Sequence, residues 1–472
     1  MRILRMAPTS CCCSTPLHGA IAQVKKMQRV RTFGAILHQG GPAPAHPGRA
    51  ARSRRPSPLQ GTGGRRLHGC RDRMASMARA PSARLEGPNT PPPAMHYLNH
   101  AACGPLPDTA LHTMQFHMRR EQELGAYGAA REAQARIAAV YQGIATAIHA
   151  APEDIALTHG NSDGWSRVIG AMDWSGGGRI LVPRSEWGGN LGALMQLSTQ
   201  HGVRVEEIPC DPVGAVDLGA LEALLRTPAS LVALTWMPAN SPLVQPAEAV
   251  GALCAQYGVP LLVDAAQAVG QWPVDVQRLQ CAALTAPGRK WLRGPRGTGF
   301  VHVHPDFLPR LHPLGADHFS RPWQAGTTWA YRNDARRLEQ SEASVALRLG
   351  LGAAVAAWSA LGIGHIRHEI AQRAEWLRNA LDELPGVHAH RTGSHAASGI
   401  VTLECASHAA AALYQGLQAR GVEAALSPAA FTPWDMEARG LSAVLRLSPG
   451  HDTAWESLRG GIDALKDTLQ AR

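Results

Sequence analysis

Several features that would place the chain in other protein classes are missing from its 472 residues. No apolar run reaches the length of a membrane-spanning helix, which predicts a soluble protein. The body of the chain has no Cys-x-x-Cys pair and no His/Cys spacing typical of metal ligands, so neither a structural zinc site nor a disulfide framework is indicated. Cysteines without a disulfide framework are typical of a protein in the reducing cytoplasm. The charged amino terminus is not followed by the apolar segment of a secretory signal.

Acidic residues are almost absent from residues 1–94, which hold 16 Lys and Arg against 2 Asp and Glu, whereas the remaining chain holds 30 basic and 34 acidic residues. The segment is rich in Arg, Pro, Gly and Ala and shows no sustained periodicity, which predicts a disordered basic extension. A transit peptide, a nucleic-acid-binding arm and translation from a wrongly assigned start all explain it. The position of Met95 just before the first motif favours the wrong start, and nucleic-acid binding is the least favoured reading.

From residue 95 onward, short β-branched or Leu-rich runs alternate with longer amphipathic stretches, as in a βαβ series. We predict an α/β fold with a mostly parallel central sheet, helices on both of its faces, and a large domain over residues 95–335. Long helices followed by separated strands predict a smaller α+β domain over residues 336–472. The predicted strands span residues 155–158, 179–183, 203–208, 231–237, 260–264, 299–303, 399–405 and 444–448, and the predicted long helices span residues 344–361 and 363–384.

The most informative motif places a carboxylate and a lysine at the ends of neighbouring strands. The apolar run 259–263 ends in Asp264, and a second short strand leads to Lys290. Pyridoxal 5'-phosphate chemistry requires a lysine amine that forms a Schiff base with the aldehyde, and an anionic carboxylate that keeps the pyridine nitrogen protonated. The motif therefore predicts a pyridoxal phosphate enzyme with Lys290 and Asp264 as its catalytic residues.

With the segments at residues 97–107, 158–164 and 444–449, this motif resembles the class V aminotransferase family, which includes cysteine desulfurases, isopenicillin N epimerase and hercynylcysteine sulfoxide lyases. The resemblance covers residues 97–469. It implies the fold of fold type I pyridoxal phosphate enzymes and a homodimer in which the partner subunit completes each site.

The resemblance also implies residues that hold the phosphate. A strand leads through a glycine into a helix at Asn161 and Ser162, and a helix N-terminus binds anions through its free N–H groups. Family members carry Ser-x-His-Lys before the Schiff-base lysine, where this chain has Pro287 and Arg289. Arg289 can pair with a phosphate, Pro287 cannot, and Thr285 is a substitute donor.

Further residues are assigned to the cofactor ring by the same resemblance. Trp187 takes the place of a stacking His, although a Trp after a strand is also a common core residue. Asn240 and Gln267 correspond to groups near the phenolic oxygen of the ring, and each is equally well explained as a turn residue or a helix cap.

Two residues are candidates for substrate binding. Arg446 lies inside an apolar strand and must have a partner there, either a structural carboxylate or, as in the family, the substrate α-carboxylate. His100, in the amino-terminal motif, either contacts the substrate or is a surface histidine.

The lack of a suitably placed cysteine argues against one of the family's reactions, the transfer of sulfur to a protein thiol. Cysteine desulfurases use a mobile cysteine late in the chain to take up sulfur, and residues 424–431 contain none, while Cys405 ends a predicted buried strand. We therefore expect a carbon–sulfur lyase acting on an S-substituted cysteine or its sulfoxide, with an aminotransferase, an epimerase and a non-catalytic binding module as alternatives. No metal site is expected.

The resemblance finally points to elements near the subunit boundary. A candidate lid spans residues 325–331, and residues 339–342 replace the family's Glu-Ala-Gly-Thr element, which lends a phosphate-binding Thr across the dimer. We expect an amino acid as the substrate.

Overall fold

The structure is a computed structural model that describes residues 95–471, so the predicted basic extension over residues 1–94 lies outside the described residues. Within the described part, no single helix has the length and apolar composition needed to cross a membrane. One pair of consecutive helices, Val345–Leu361 and Ile363–Asp382, meets the criterion only when taken together, and it is bent by 83°.

The strands fall into one large sheet, one small sheet and two short pairs. In chain order they are β1 (His96–Tyr97), β2 (Ile155–Thr158), β3 (Arg179–Pro183), β4 (Arg204–Ile208), β5 (Leu231–Thr235), β6 (Leu261–Asp264), β7 (Ala283–Pro287), β8 (Gly299–Val303), β9 (Trp323–Ala325), β10 (Thr328–Trp329), β11 (Val387–Ala389), β12 (Val401–Cys405), β13 (Val422–Glu423), β14 (Ala425–Pro428) and β15 (Ala443–Leu447).

Helices connect most of these strands and cover the sheets. They are α1 (Asp108–Leu124), α2 (Ala126–Glu132), α3 (Gln134–Ala147), α4 (Asn161–Ala171), α5 (Gly188–His201), α6 (Leu218–Leu225), α7 (Ala247–Gln256), α8 (Val276–Leu279), α9 (Val345–Leu361), α10 (Ile363–Asp382), α11 (Ala410–Ala419), α12 (Pro433–Ala438) and α13 (Trp455–Gln470).

The large sheet has seven strands in the order β2-β8-β7-β6-β5-β3-β4. Every neighbouring pair is parallel except the two that involve β8, which runs antiparallel to β2 and β7. Since a parallel sheet is covered by helices on both faces, its central strands are apolar along their whole length. The carboxyl ends of β2, β3, β5, β6 and β7 therefore lie along one edge.

Both faces of the large sheet contribute to hydrophobic cores. In β5, Val232 and Leu234 belong to one cluster of buried side chains, whereas Leu231 and Ala233 belong to another. This alternation follows from the two-residue period of a strand. The sheet is thus buried on both sides, as the continuous apolar runs of the sequence predict.

The small sheet is antiparallel, in the order β11-β12-β15-β14. A third core packs against it and contains Leu98, from the amino-terminal motif, together with side chains of α10 and α13. Helix α9, which begins after its N-cap Ser344, packs instead against α1 and α3. The division of the chain at residue 335 stays a prediction.

The predicted limits of β2, β3 and β8 agree with the structure, and the strand predicted to begin at residue 203 begins one residue later. The strand predicted over residues 231–237 ends earlier, at Thr235. The Trp236 backbone N–H still donates to the Asp264 carbonyl at 3.0 Å, and the chain leaves the sheet after this bond although Met237 is also buried. Strands β11 and β14 were not predicted.

Candidate active site

Asp264 and Lys290 line the same cavity, of about 270 Å³, at the carboxyl edge of the large sheet. Asp264 is the last residue of β6, and Lys290 follows the parallel neighbour β7 by three residues. Gly270 lets these two segments approach, because its φ of 101° and its contact with the Trp291 backbone leave no room for a side chain. Asp264 and Lys290 thus lie at the ends of neighbouring parallel strands, as the sequence predicts.

Three donors hold the buried carboxylate of Asp264. Its Oδ2 accepts hydrogen bonds from Asn161 Nδ2 at 2.7 Å and from Asn190 Nδ2 at 2.8 Å, and its Oδ1 accepts one from the Ala266 backbone N–H at 2.9 Å. Hydrogen bonds to both oxygens fix the orientation of the carboxylate toward the cavity.

The amine of Lys290 lies in a positively charged environment. Burial is the main cause that lowers its pKa to about 7, and the nearby guanidinium of Arg289 lowers it further, whereas Asp264 opposes the shift. The lowered pKa favours the uncharged amine, the form that can act as a nucleophile or a base.

The N-terminus of α4 borders the cavity through Gly160, Asn161 and Ser162. Its first backbone N–H groups have no partners within the helix, and the Ser162 hydroxyl is exposed beside them. Arg289 also lines the cavity, and no carboxylate of the described residues forms an ion pair with it. These groups fit an anion such as a phosphate.

Two of the expected phosphate donors need correction. The side chain of Asn161 is occupied, since its Nδ2 donates to Asp264 and its Oδ1 accepts from the Thr285 hydroxyl at 2.9 Å. Thr285 is fully buried and bonded to Asn161, so it does not replace the missing Ser. Only the backbone N–H of Asn161 remains free for an anion.

Trp187 lines the cavity at the start of α5. Its ring packs against Phe431 with a centroid distance of 4.8 Å and an angle of 43°, and its backbone N–H donates to the Thr235 hydroxyl at 3.1 Å. The indole thus has a supported position from which one face can cover a ring.

The two residues expected near the phenolic oxygen differ in outcome. Gln267 lines the cavity, and its amide is fixed between the Ala101 carbonyl and Trp291 Nε1. Asn240 does not line it, because its fully buried side chain accepts from the Ser427 hydroxyl at 2.5 Å and donates to the Pro428 carbonyl at 3.1 Å. Asn240 therefore ties the loop after β5 to the small sheet.

One residue earlier, Ala239 occupies the cavity wall, and its carbonyl accepts a hydrogen bond from Arg446 Nη1 at 3.3 Å. Arg446 is 4% exposed, its Nε has no partner, and no Asp or Glu of the described residues pairs with it. Burial, with the nearby charge of Arg289, lowers the pKa of Arg446 to about 10. The structural carboxylate that would explain Arg446 without a ligand is thus not found among residues 95–471.

His100, a candidate for substrate binding, does not line the cavity. It is buried, stacks on Trp291 at a centroid distance of 6.3 Å, and lies 3.8 Å from Asp452. Burial lowers its pKa to about 4. The structure gives His100 a packing role behind Lys290 and no direct access to a substrate in the cavity.

The candidate lid, residues 325–331, forms the turn at Gly326 and the second strand of the hairpin of β9 and β10, and its Trp329 is 48% exposed. Of the segment 339–342, Glu339 is buried, and its carboxylate accepts hydrogen bonds from Tyr141, Leu157 and Arg348. Glu339 therefore has a structural function.

The sequence reasoning missed several residues of the site. Glu186 and Asn190 are fully buried beside Asp264, and Thr235 and Met237 line the cavity. The spacing of Glu186 and Asn190 could have indicated their contact. The two residues are four apart at the start of α5, and side chains with this spacing lie on the same side of a helix.

Comparison with known proteins identifies relatives of the chain. The model of the class V aminotransferases matches residues 96–458. A probable hercynylcysteine sulfoxide lyase of Mycobacterium tuberculosis is 31% identical over 63% of this chain and 71% of its own length. A cysteine desulfurase of Klebsiella pneumoniae subsp. pneumoniae is 30% identical over 62% of this chain and 73% of its own length.

Two solved structures share the fold. The apo cysteine desulfurase from Thermococcus onnurineus NA1 has a TM-score of 0.73 and 19% identity, and the match covers 80% of this chain and 95% of that one. The cystine C–S lyase C-DES in complex with its reaction product cysteine persulfide has a TM-score of 0.72 and 25% identity, with coverages of 79% and 98%. The predicted fold, that of fold type I pyridoxal phosphate enzymes, is confirmed.

Proposed function

The chain belongs to the class V aminotransferase family, and from this premise we propose that it is a pyridoxal-phosphate-dependent carbon–sulfur lyase acting on an S-substituted cysteine or a cysteine sulfoxide. The observation that carries the proposal is the set of charges around one cavity. Lys290 and Asp264 line that cavity and supply the groups that the cofactor requires. Arg446 does not line it, but it lies directly behind the wall, where it donates to the Ala239 carbonyl, and it supplies a buried cation without a carboxylate partner among the described residues.

The cavity fits the parts of pyridoxal phosphate. Asp264 would hold the pyridine nitrogen and Trp187 would cover the ring, while the N-terminus of α4 with Ser162 and the guanidinium of Arg289 would hold the phosphate. Lys290 would bind the aldehyde carbon. The excess of positive charge suits a ligand that carries a phosphate and a substrate that carries a carboxylate.

Bound pyridoxal phosphate supplies an electron sink that stabilises negative charge at the substrate Cα. Once the substrate amine has replaced Lys290 at the aldehyde carbon, the released amine, with its pKa lowered to about 7, would act as the base that removes the Cα proton. Arg446 holds the substrate carboxylate and so orients the Cα–H bond toward Lys290. When Cβ carries sulfur, the electron pair from Cα expels that sulfur as the leaving group, and hydrolysis gives pyruvate and ammonia.

Direct release of the sulfur product is supported by the absence of a thiol at the cavity. No cysteine is among the residues that line it in the described part of the chain. Residues 425–428 form a strand of the small sheet, and the Cys405 thiol contacts Ser407 at 3.3 Å. Residues 424–431, where the resemblance places the sulfur-accepting cysteine of the desulfurases, therefore contain no thiol that could take up sulfur as a persulfide.

We further propose that the protein is a homodimer. Helices α1 and α2 expose the large apolar side chains of Phe116, Met118 and Tyr127, and an apolar groove runs between α3 and α9. A surface of this kind is typical of a subunit interface. Sedimentation equilibrium would measure the mass in solution, and a monomer at micromolar concentration would contradict this part of the proposal.

The reaction is tested by pyruvate release from cofactor-loaded protein. The substrates are cysteine, S-alkylcysteines and their sulfoxides, including hercynylcysteine sulfoxide, and no keto acid is added. We expect release that depends on Lys290 and is lost in Lys290→Ala. Release at an equal rate from wild type and Lys290→Ala would contradict the assigned role of the lysine, and no release from any of these substrates would contradict the lyase.

A further inference from the structure

A second buried carboxylate, Glu186, lies next to Asp264 and is not used by the reaction described above. We propose that Glu186 is a positioning residue that acts through Asn190 on Asp264, setting the orientation and the charge of the carboxylate that meets the cofactor ring. This inference rests on the proposed cofactor site.

The link between the two carboxylates is a single amide. Asn190 Nδ2 donates to Glu186 Oε1 at 2.7 Å and to Asp264 Oδ2 at 2.8 Å. Because both neighbours are carboxylate oxygens, the amide must present its NH2 group to them, and a flipped amide would place two acceptors against each other. Glu186 thereby fixes which group of Asn190 faces Asp264.

Glu186 is itself held rigidly. Its Oε1 accepts a hydrogen bond from the Thr235 hydroxyl at 2.7 Å, and its Oε2 accepts one from the Thr235 backbone N–H at 2.8 Å. The same hydroxyl accepts from the backbone N–H of Trp187 at 3.1 Å. One network therefore connects the end of β5, the ring-covering Trp187 and the carboxylate at the end of β6.

The two carboxylates also interact through their charges. The ionisable group that faces Glu186 is Asp264, whose carboxylate in turn faces the Lys290 amine. Burial and the charge of Asp264 raise the pKa of Glu186 to about 7. In its anionic form Glu186 would stabilise positive charge on Lys290 and on a cofactor ring nitrogen held by Asp264.

The experiment follows the absorption spectrum of bound pyridoxal phosphate as a function of pH, which reports protonation at the nitrogen that Lys290 contributes. In Glu186→Gln the loss of a nearby negative charge makes that protonation less favourable. We expect the midpoint of the titration to fall by on the order of one pH unit. Glu186→Asp keeps the charge and should restore most of the shift.

Glu339→Gln is the matched control, because Glu339 is also a buried carboxylate that accepts three hydrogen bonds but does not touch Asp264. It should lower the stability of the fold and leave the midpoint unchanged. An unchanged midpoint in Glu186→Gln, or an equal shift in Glu339→Gln, would overturn the proposal.

A measurement on the wild type covers the case in which Glu186→Gln does not fold. With 13C-labelled glutamate, infrared spectra should contain a protonated carboxyl band that titrates near neutral pH and persists in Glu339→Gln, and the lack of such a band would refute the proposal.

The cofactor site on which the proposal rests is tested separately. A cofactor spectrum that does not depend on Lys290 would overturn the cofactor site together with the role of Glu186, whereas a Lys290-dependent spectrum with an unmoved midpoint would overturn only the latter.

Discussion

Arg446 is a buried cation with no carboxylate partner in the described chain. Its replacement by Met tests whether the arginine binds substrate or stabilises the fold. Its pKa of about 10, against an ordinary value of 12.5, corresponds to about 3 kcal/mol of disfavour for the charged form in the free cavity. Methionine keeps the aliphatic length without the charge. Arg446→Met should therefore leave the apoprotein as stable as the wild type, or more stable by up to about 3 kcal/mol.

The same substitution should strongly weaken substrate binding. Loss of one partner from a desolvated, charge-assisted pair costs about 2–5 kcal/mol, so the KM for pyruvate release should rise by roughly 100-fold. Substrate binding thus weakens without any loss of stability, an outcome that a structural arginine does not produce. Urea unfolding of the apoprotein and steady-state kinetics of the loaded protein measure the two quantities.

Arg378 is the matched control, since it is also 4% exposed but has partners, with Nε 3.0 Å from a carboxylate oxygen of Glu375 and Nη1 3.3 Å from the Ile400 carbonyl. Arg378→Met should destabilise the fold by about 1–3 kcal/mol, because the buried Ile400 carbonyl loses a donor, and leave KM unchanged. If Arg446→Met were as destabilising as Arg378→Met, with an unchanged KM, the assignment of Arg446 to the substrate carboxylate would be wrong.

Other substitutions have equally specific outcomes. The rate at which the apoprotein binds pyridoxal should rise with pH through about 7, because the Lys290 amine must be unprotonated to react. Arg289→Met removes a nearby positive charge and should move the midpoint of this rise to higher pH. Stopped-flow absorbance measures the rate, and an unmoved midpoint would contradict this electrostatic account. Pyridoxal is used because it has no phosphate, so the lost phosphate contact does not enter the result. Asn240→Ala breaks the hydrogen bond to Ser427 and should cost about 1–3 kcal/mol in urea unfolding while the spectrum of the bound cofactor is unchanged; an altered spectrum would place Asn240 at the ring after all. Trp187→Ala should weaken pyridoxal phosphate binding by about 10- to 100-fold in a fluorescence titration, and wild-type affinity would show that the indole does not cover the ring.

The fold was largely predictable because many strands of the large sheet are continuous apolar runs. Such runs define β2, β3 and β8 from the sequence alone, and their alternation with amphipathic stretches predicts the parallel sheet. Strand β14 was missed because its four residues end in Pro428 and have no alternating pattern. It is a strand because it pairs with β15, a contact that a local pattern does not contain.

The site was predictable where one residue interrupts an apolar strand or ends it. Asp264 and Arg446 stand out in this way, and Lys290 follows a short strand that pairs with the strand of Asp264. In the turn after β5 we predicted Asn240 at the cavity, whereas the preceding residue, Ala239, lines it. Spacing alone does not tell which of two adjacent turn residues faces the cavity. Glu186 resembles a solvated residue in the sequence, and it is buried only because donors from α5 and β5 surround it.

The central claim is catalytic cleavage of a carbon–sulfur bond, and the most direct measurement is the amount of pyruvate formed per bound cofactor when the loaded protein meets a cysteine sulfoxide without any keto acid. The lyase account predicts many equivalents of pyruvate, a cofactor that stays in its aldehyde oxidation state, and loss of the product in Lys290→Ala. A keto acid yield that stops at one equivalent, with the cofactor converted to its amine form, would contradict the account and identify a transaminase.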